Sequence, residues 1–326
     1  MIITRTPYRI SLFGGGSDLP IWYQKYNGLV VSFSIDKYCY IFCRELPPFF
    51  EYNYRLTYSK VETVLKIDDI MHPALREAIR YHTDPKIRLE IQHHGDLPAR
   101  SGVGSSSAFA VGLISALSSL DNKELTKYDL ASKAIDLEQI HIAETVGSQD
   151  QIACSFGGFN SIRFSPGGSW KIDSLRIDRQ RLNAIEDRCY LVYSQIARFS
   201  SEISKGLVNE FEKKHDNLLK TVNLAEQSLN ILESNTDLDE IGELLNEGWE
   251  LKKELNPFST NSTIKTFIEN GKANGALGAK VLGAGGGGFI LFWLKEGDKE
   301  RFRNKFKMGV QVPFKIEFEG SSIIRY

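Results

Sequence analysis

Pro98-Ala99-Arg100-Ser101-Gly102-Val103-Gly104-Ser105-Ser106-Ser107-Ala108 runs straight into a helically spaced apolar segment, Ala108 to Leu120. Gly102 and Gly104 carry no Cβ, and three serine hydroxyls sit where a helix leaves its first N–H groups unpaired. A polyphosphate can approach closely there, against the positive end of the helix dipole. The stretch therefore predicts a nucleotide site. Just before it, Ile87, Leu89 and Ile91 alternate with Arg88, Glu90 and Gln92, the pattern of a half-exposed strand. The lysine-bearing GxxxxGK[ST] loop is absent, so the cradle is of another kind.

Outward from this loop the chain changes character. Upstream, Tyr8 to Leu12, Leu29 to Phe33 and Tyr38 to Arg44 read as strands separated by turn residues. Downstream, Thr126 opens a second helix with Leu130, Ala134, Leu137 and His141 on one face. Gly147 breaks it. Ser148, with Gln151 three residues on, has capping-box spacing and opens a third helix that ends at Gly157-Gly158. The stretch through Pro166-Gly167-Gly168 reads as polar and irregular. Cys189 to Tyr193 reads as a strand, Ser200 to Glu233 and Leu238 to Leu255 as long amphipathic helices, and Phe289 to Leu294 as an apolar strand before a basic helix and two final strands. Strands and helices mix without regular βαβ alternation, which predicts an α+β chain of two fused lobes, residues 1–190 and 191–326.

Composition narrows the function classes. The 326 residues are 42% hydrophobic and 25% charged, with a formal net charge of -1, so a broad electrostatic partner such as nucleic acid is not expected. The N-terminus lacks the pattern of a signal peptide, and no apolar run approaches a membrane span, which together predict a cytoplasmic protein. Cys39, Cys43, Cys154 and Cys189 show no CxxC spacing and are expected to be buried thiols. His93 and His94, adjacent on a strand, point to opposite faces and make a poor chelating pair.

Two further glycine-rich stretches flank the phosphate loop. Gly283-Ala284-Gly285-Gly286-Gly287-Gly288 formally matches GxGxxG, but a strand follows it, Phe289 to Trp293, where a dinucleotide fingerprint demands a helix. Four consecutive glycines suggest backbone pressed against a ligand or a neighbouring loop. The first stretch, Pro7-Tyr8-Arg9-Ile10-Ser11-Leu12-Phe13-Gly14-Gly15-Gly16-Ser17-Asp18, offers a cation in the strand and a short carboxylate at the loop's end.

In this order the three stretches resemble the GHMP small-molecule kinases, the superfamily of galactokinase, homoserine kinase and mevalonate kinase. Phe13 to Asp18, Gly147-Ser148-Gln149-Asp150-Gln151 and Arg198-Phe199-Ser200-Ser201-Glu202-Ile203 look most like the branch holding D-glycero-D-manno-heptose 7-phosphate kinase and the kinase part of fucokinase. The resemblance implies an N-terminal lobe like ribosomal S5 domain 2 and a ferredoxin-like C-terminal lobe. It also implies ATP and Mg²⁺, a sugar-phosphate acceptor phosphorylated at its anomeric hydroxyl, and possible homodimerisation. A kinase for a free sugar such as L-fucose, and a sensor that has kept the fold without the chemistry, are the alternatives.

The residue roles follow from the same resemblance. Pro98 and Arg100 through Ser107 (Arg100, Ser101, Gly102, Val103, Gly104, Ser105, Ser106, Ser107) would hold the ATP phosphates. Ser107 and Glu138, the latter twelve positions before Asp150, would hold Mg²⁺. Asp150 matches the catalytic base, with Arg9 beside it. Gly14, Gly15, Gly16, Ser17 and Asp18, then Arg198, Ser200, Ser201, Gly285 and Gly286, would contact the acceptor. Tyr52, Tyr54 and Tyr58 are candidates for the adenine pocket.

Overall fold

A computed structural model describes residues 1–196 and 214–324. Its strands are β1 (Ile2–Phe13), β2 (Gly28–Glu45), β3 (Tyr54–Thr57), β4 (Val61–Val64), β5 (Leu89–Gly95), β6 (Phe159–Phe164), β7 (Trp170–Ser174), β8 (Cys189–Tyr193), β9 (Gly278–Val281), β10 (Phe289–Trp293), β11 (Val310–Gln311) and β12 (Ser322–Ile324). The α-helices among the described residues are α1 (Pro20–Tyr23), α2 (Pro73–His82), α3 (Ser105–Leu120), α4 (Lys127–Asp136), α5 (Gln149–Phe156), α6 (Arg179–Arg188), α7 (His215–Glu233), α8 (Glu240–Leu255), α9 (Ser262–Ala273) and α10 (Lys299–Lys305).

The first sheet runs β12-β1-β2-β5-β3-β4, and a β6–β7 hairpin continues from the other end of β2. The second runs β11-β8-β10-β9 and is antiparallel throughout. The two strands expected at Leu29–Phe33 and Tyr38–Arg44 are one 18-residue strand, β2. Its pairing with β1 steps past the polar pair Asp36-Lys37 as Pro7 faces Tyr38 and Tyr8 faces Ile35. The turn-like gap in the sequence is therefore a bulge, which interrupts the alternation without ending the strand. Beyond the bulge β2 pairs with β5, and before it with β6, so one strand carries two branches of the sheet.

The stretch around Pro166-Gly167-Gly168, expected to be irregular, is the tip of the β6–β7 hairpin. Gly167 and Gly168 both hold positive φ there, and short flanking strands give too few alternating residues to announce themselves. The last strand, β12, returns to pair with β1, so the first sheet contains residues from both ends of the chain.

Helix α3 forms where its sequence predicts. It is apolar nearly all round because β1, β2, α2, α4 and α5 enclose it. Val111, Leu113, Ile114 and Leu117 are fully buried, each worth about 1.5–3 kcal/mol relative to exposure. At Gly112 the helix comes so close to β1 that Thr4 Oγ1 donates to the Gly112 carbonyl at 2.9 Å. This contact sets the height of the helix start over the sheet. All four cysteines are buried and free.

Helix α4 is capped by Thr126, whose hydroxyl accepts from the Asp129 amide at 3.1 Å. It then widens into a π-turn over Leu137–His141. Such turns redirect side chains and are frequent at functional sites. This one turns Glu138 inward.

Candidate active site

A cavity of about 790 Å³ opens where the loops after β1 and β5, the π-turn, α7, α8 and β9 converge. The phosphate loop forms part of its wall. Gly102 (φ 89°) and Gly104 (φ 75°) adopt the left-handed backbone that favours glycine, and Gly104 is the N-cap of α3. The carbonyls of Gly102 and Val103 turn back toward the first strand, where the Arg9 guanidinium donates to the first at 2.7 Å and the Arg9 amide to the second at 3.0 Å. That leaves the first N–H groups of α3 beside the cavity. Ala99, Arg100, Gly102, Gly104, Ser105, Ser106 and Ser107 line it, whereas Pro98, Ser101 and Val103 do not. Ser101 and Val103 are buried, and Ser101 Oγ donates to the Pro98 carbonyl at 2.6 Å, bracing the loop from within.

Arg9 is the hub. Its Nε donates to Asp150 Oδ1 at 2.7 Å and its Nη2 to Asp150 Oδ2 at 2.6 Å, a bidentate pair spanning 141 positions of sequence. The arginine side chain is 4% exposed and the aspartate 23%, so the carboxylate is fixed from behind and open in front. A Cβ placed on Gly104 would lie 3.6 Å from Asp150 Oδ2. Asp150 thus stands beside the start of the phosphate loop, in the first turn of α5.

Ser148 does not cap α5. Its backbone is helical (φ −99°, ψ −5°), and its hydroxyl bonds instead with Tyr23 Oη and accepts from Gln139 Nε2, both at 3.0 Å. Asp18 takes over the helix start: its carbonyl accepts from the Ser148 amide at 3.0 Å and its Oδ2 from the Gln149 amide at 3.4 Å. A Cβ on Gly147 would sit 1.8 Å from that oxygen, so only glycine fits. Burial first, and Asp150 second, raise the Asp18 carboxyl above its ordinary value. Gly14, Gly15, Gly16 and Asp18 line the cavity. Ser17 does not: its hydroxyl donates to the Gly14 carbonyl at 2.7 Å and accepts from the Leu29 amide at 3.1 Å, stitching the loop to β2.

Glu138 and Ser107 meet at the cavity wall, Ser107 Oγ donating to Glu138 Oε2 at 2.7 Å. Gln151 Nε2 donates to the same oxygen at 2.5 Å. Burial, the largest cause, pushes the Glu138 carboxyl up to about 7; Ser107 and Gln151 pull it down, and the charges of Glu144 and Asp150 push it further up. A buried carboxylate with hydroxyl and amide partners is a hard oxygen donor set, which suits a divalent cation such as Mg²⁺. Among the described residues no group of three or more His, Cys, Asp or Glu gathers as a metal cluster.

The raised pKa of Glu138 has a stability consequence. The unfolded chain releases this proton near 4.5 and the folded protein near 7, so between these values the folded state binds more protons and loses stability as pH rises. The loss is on the order of 3 kcal/mol across that window in the absence of a metal. Glu138→Gln should remove this slope, leaving the metal-free protein a few degrees more heat-resistant than wild type at pH 8 and no more so at pH 4.5. Thermal melts at both pH values decide this.

The third glycine stretch serves the phosphate loop. A Cβ on Gly288 would lie 2.1 Å from the Ser101 carbonyl, and the Phe289 amide donates to that carbonyl at 2.9 Å. Gly285 and Gly286 do not line the cavity; they pack on Ser259, whose carbonyl accepts from the Gly286 amide at 2.5 Å. The expected acceptor contacts Arg198, Ser200 and Ser201 lie outside the described residues. Of the tyrosines, Tyr58 reaches the cavity; Tyr54 is in the core, and Tyr52 stacks on Phe50.

Apart from Tyr58, sequence reasoning missed two parts of the wall. Tyr58, His72, Phe109 and His93 form a chain of ring contacts with centroids 4.8 to 5.2 Å apart. Lys252 and Lys280 line the cavity from the second half of the chain. A lysine inside the otherwise apolar Gly278–Val281, just before four glycines, was the available signal for Lys280.

Two family models match the chain, GHMP kinases N terminal domain over residues 68–158 and GHMP kinases C terminal over residues 225–309, together more than half its length. It is 28% identical over 307 residues to D-glycero-alpha-D-manno-heptose 7-phosphate kinase of Campylobacter jejuni, covering 90% of this chain and 89% of that protein. It is also 28% identical over 220 residues to the bifunctional fucokinase/GDP-fucose pyrophosphorylase of Arabidopsis thaliana, covering 65% of this chain and 20% of that one. Among solved structures, a D-glycero-D-manno-heptose 1-phosphate kinase from Bacteroides thetaiotaomicron superposes with a TM-score of 0.81 at 23% identity, covering 100% of this chain and 99% of the other. The Methanococcus jannaschii mevalonate kinase superposes with a TM-score of 0.73 at 20% identity, covering 96% and 98%. These structural likenesses speak to the fold.

Proposed function

The chain belongs to the GHMP kinases, ATP-dependent phosphotransferases, and from that premise we propose that it is a sugar kinase acting on the anomeric hydroxyl of D-glycero-D-manno-heptose 7-phosphate to form the 1,7-bisphosphate. The observation that carries the reading is Asp150, clasped by Arg9 and open to the cavity beside Gly104 of the phosphate loop. The choice of acceptor rests on the likeness to the Campylobacter jejuni heptose phosphate kinase.

Phosphoryl transfer asks a protein for alignment, charge neutralisation and a proton acceptor. The N–H groups at the start of α3 and the exposed Ser106 hold the ATP phosphates. The wall of Tyr58, His72, Phe109 and His93 takes the adenine ring by stacking. Ser107 and Glu138 would hold Mg²⁺, which would supply positive charge to offset that of the phosphate oxygens. Glu138 would serve this role as the carboxylate.

The acceptor lies between Asp150 and the Gly14–Asp18 loop. Its hydroxyl proton passes to Asp150, its oxygen bonds to the γ-phosphorus, and the bond from that phosphorus to the bridging oxygen breaks to release ADP. Arg9 keeps both Asp150 oxygens in register for the proton. A homodimer and a cytoplasmic setting complete the reading; no described helix is long and apolar enough to cross a membrane.

An acceptor panel tests the proposal: heptose 7-phosphate, the free heptose and L-fucose, each with ATP and Mg²⁺, read by ADP release and by ³¹P NMR of the product. The expected result is kcat/KM for the heptose 7-phosphate at least about a hundredfold above the free sugars, since losing a charged group's partners costs 10²-fold or more. Preference for L-fucose transfers the proposal to a free-sugar kinase. ATP binding with no product from any acceptor identifies a sensor.

A further inference from the structure

Lys280 stands in the cavity wall on β9, which among the described residues pairs only with β10 and is an edge of the second sheet. Its Nζ donates to the carbonyls of Ser11 at 2.9 Å and Leu12 at 2.5 Å, nearly the whole chain away in sequence. Those two carbonyls lie where β1 leaves regular pairing. Ser11 faces Ser32 and Phe13 faces Val31, so Leu12 is the extra residue of a bulge. A bulged carbonyl loses its ladder partner and needs another. The Gly14–Asp18 loop begins two residues later.

The surroundings argue against an incidental contact. A lysine ammonium is normally left in water, because burying it costs free energy. Lys280 is half-buried on the cavity wall; desolvation first, then the neighbouring Arg9, pull its ammonium down to about 7, with Asp18 opposing them. Lys252 on α8 makes a parallel clasp, donating to the carbonyls of Val281 at 2.7 Å and Gly283 at 2.5 Å. The two lysines thus chain α8 to the exit of β9, and β9 to the exit of β1. Their common product is the placement of Gly14 to Asp18 against the second half of the chain. Two carbonyls occupy two of the three N–H groups of the ammonium.

We infer that Lys280 is a positioning residue for the acceptor: by clasping the bulged end of β1 it holds the Gly14–Asp18 loop, and so sets how the acceptor hydroxyl lies relative to Asp150. This rests on the reading of the Gly14–Asp18 wall as the acceptor side. Phosphate-loop residues make no hydrogen bond with Lys280, so ATP binding should be indifferent to it.

The test is steady-state kinetics of Lys280→Met and Lys280→Arg, after the acceptor panel has identified a substrate for wild type. Lys280→Met should raise the acceptor KM about tenfold or more, the expected effect of losing charge-assisted hydrogen bonds, while KM for ATP stays within about twofold. Lys280→Arg, which keeps charge and donors, should recover most of the loss. Should the Met variant fail to fold, Lys280→Gln is read in the same way. An unchanged acceptor KM, equal rises in both KM values, or an Arg variant no better than Met overturns the inference. Failure of wild type with every acceptor instead counts against the kinase reading, so the two failures are told apart.

Discussion

Asp150→Asn will lower kcat by about 10²- to 10⁴-fold, the usual share of a positioned general base, while the nucleotide dissociation constant changes by no more than a few-fold. The asymmetry follows from placement. Asp150 faces Gly104, but the Gly102 and Val103 carbonyls that turn away from the cavity are held by Arg9. The amide of asparagine cannot accept from both Nε and Nη2 of Arg9, because one of its two polar atoms is itself a donor. Some rotation of the side chain is therefore expected, with a modest drop in melting temperature. Single-turnover kinetics separate this from lost binding: a variant that binds ATP and acceptor normally but transfers slowly supports the assignment. Turnover equal to wild type ends it, and loss of the fold points to a structural role for the Arg9–Asp150 pair.

Arg9→Met should be the most damaging single change. The guanidinium makes three side-chain hydrogen bonds, two to Asp150 and one to the Gly102 carbonyl. Removing it strands a carboxylate whose partner was 4% exposed, together with a loop carbonyl. Breaking one side of a buried pair costs about 3–5 kcal/mol. Because Arg9 touches both the loop and the base, kcat should fall and KM for ATP should rise together, each by at least about tenfold. Arg9→Lys keeps the charge but not the fork, since an ammonium cannot bond two carboxylate oxygens and a carbonyl in one plane. It should retain more stability than Arg9→Met yet remain catalytically poor. Denaturant melts alongside steady-state kinetics give both readouts. An Arg9→Lys variant with wild-type kcat would show that charge alone suffices and that the bidentate geometry is dispensable.

Much of the first lobe was legible in advance because its signals are local. The 98–108 stretch, the apolar period of α3 and the alternation around Ile87 to Gln92 each require only neighbouring residues; the loop and helix formed as expected, and the alternation became β5 from Leu89 on, with Glu90 buried against Arg44 rather than exposed. The Ser148 cap failed for a reason outside its own segment: Tyr23 and Gln139 compete for the hydroxyl, and Asp18 supplies the contacts in its place. The β6–β7 hairpin escaped notice because β6 is held by β2 and β7 by β6, not by their own pattern. Gly285 and Gly286 were assigned to the acceptor from their motif, yet the glycine run is spent on close packing against Ser259, Ile196 and Ser101.

The amino-acid order by itself determined where a glycine-rich loop opens α3, where the longer periodic helices and strands form, and which acids and hydroxyls were available. These depend on glycine geometry, helix-end donors and hydrophobic period, all expressed within a few residues. Tertiary structure alone decided that Arg9 clasps Asp150, that Ser107 meets a Glu138 turned inward by a π-turn, and that Lys280 reaches Ser11 and Leu12. Those contacts join residues separated by 141, 31 and 269 positions. Only packing of the two sheets and their helices can bring such groups within 3 Å, because no local preference acts over that distance along the chain.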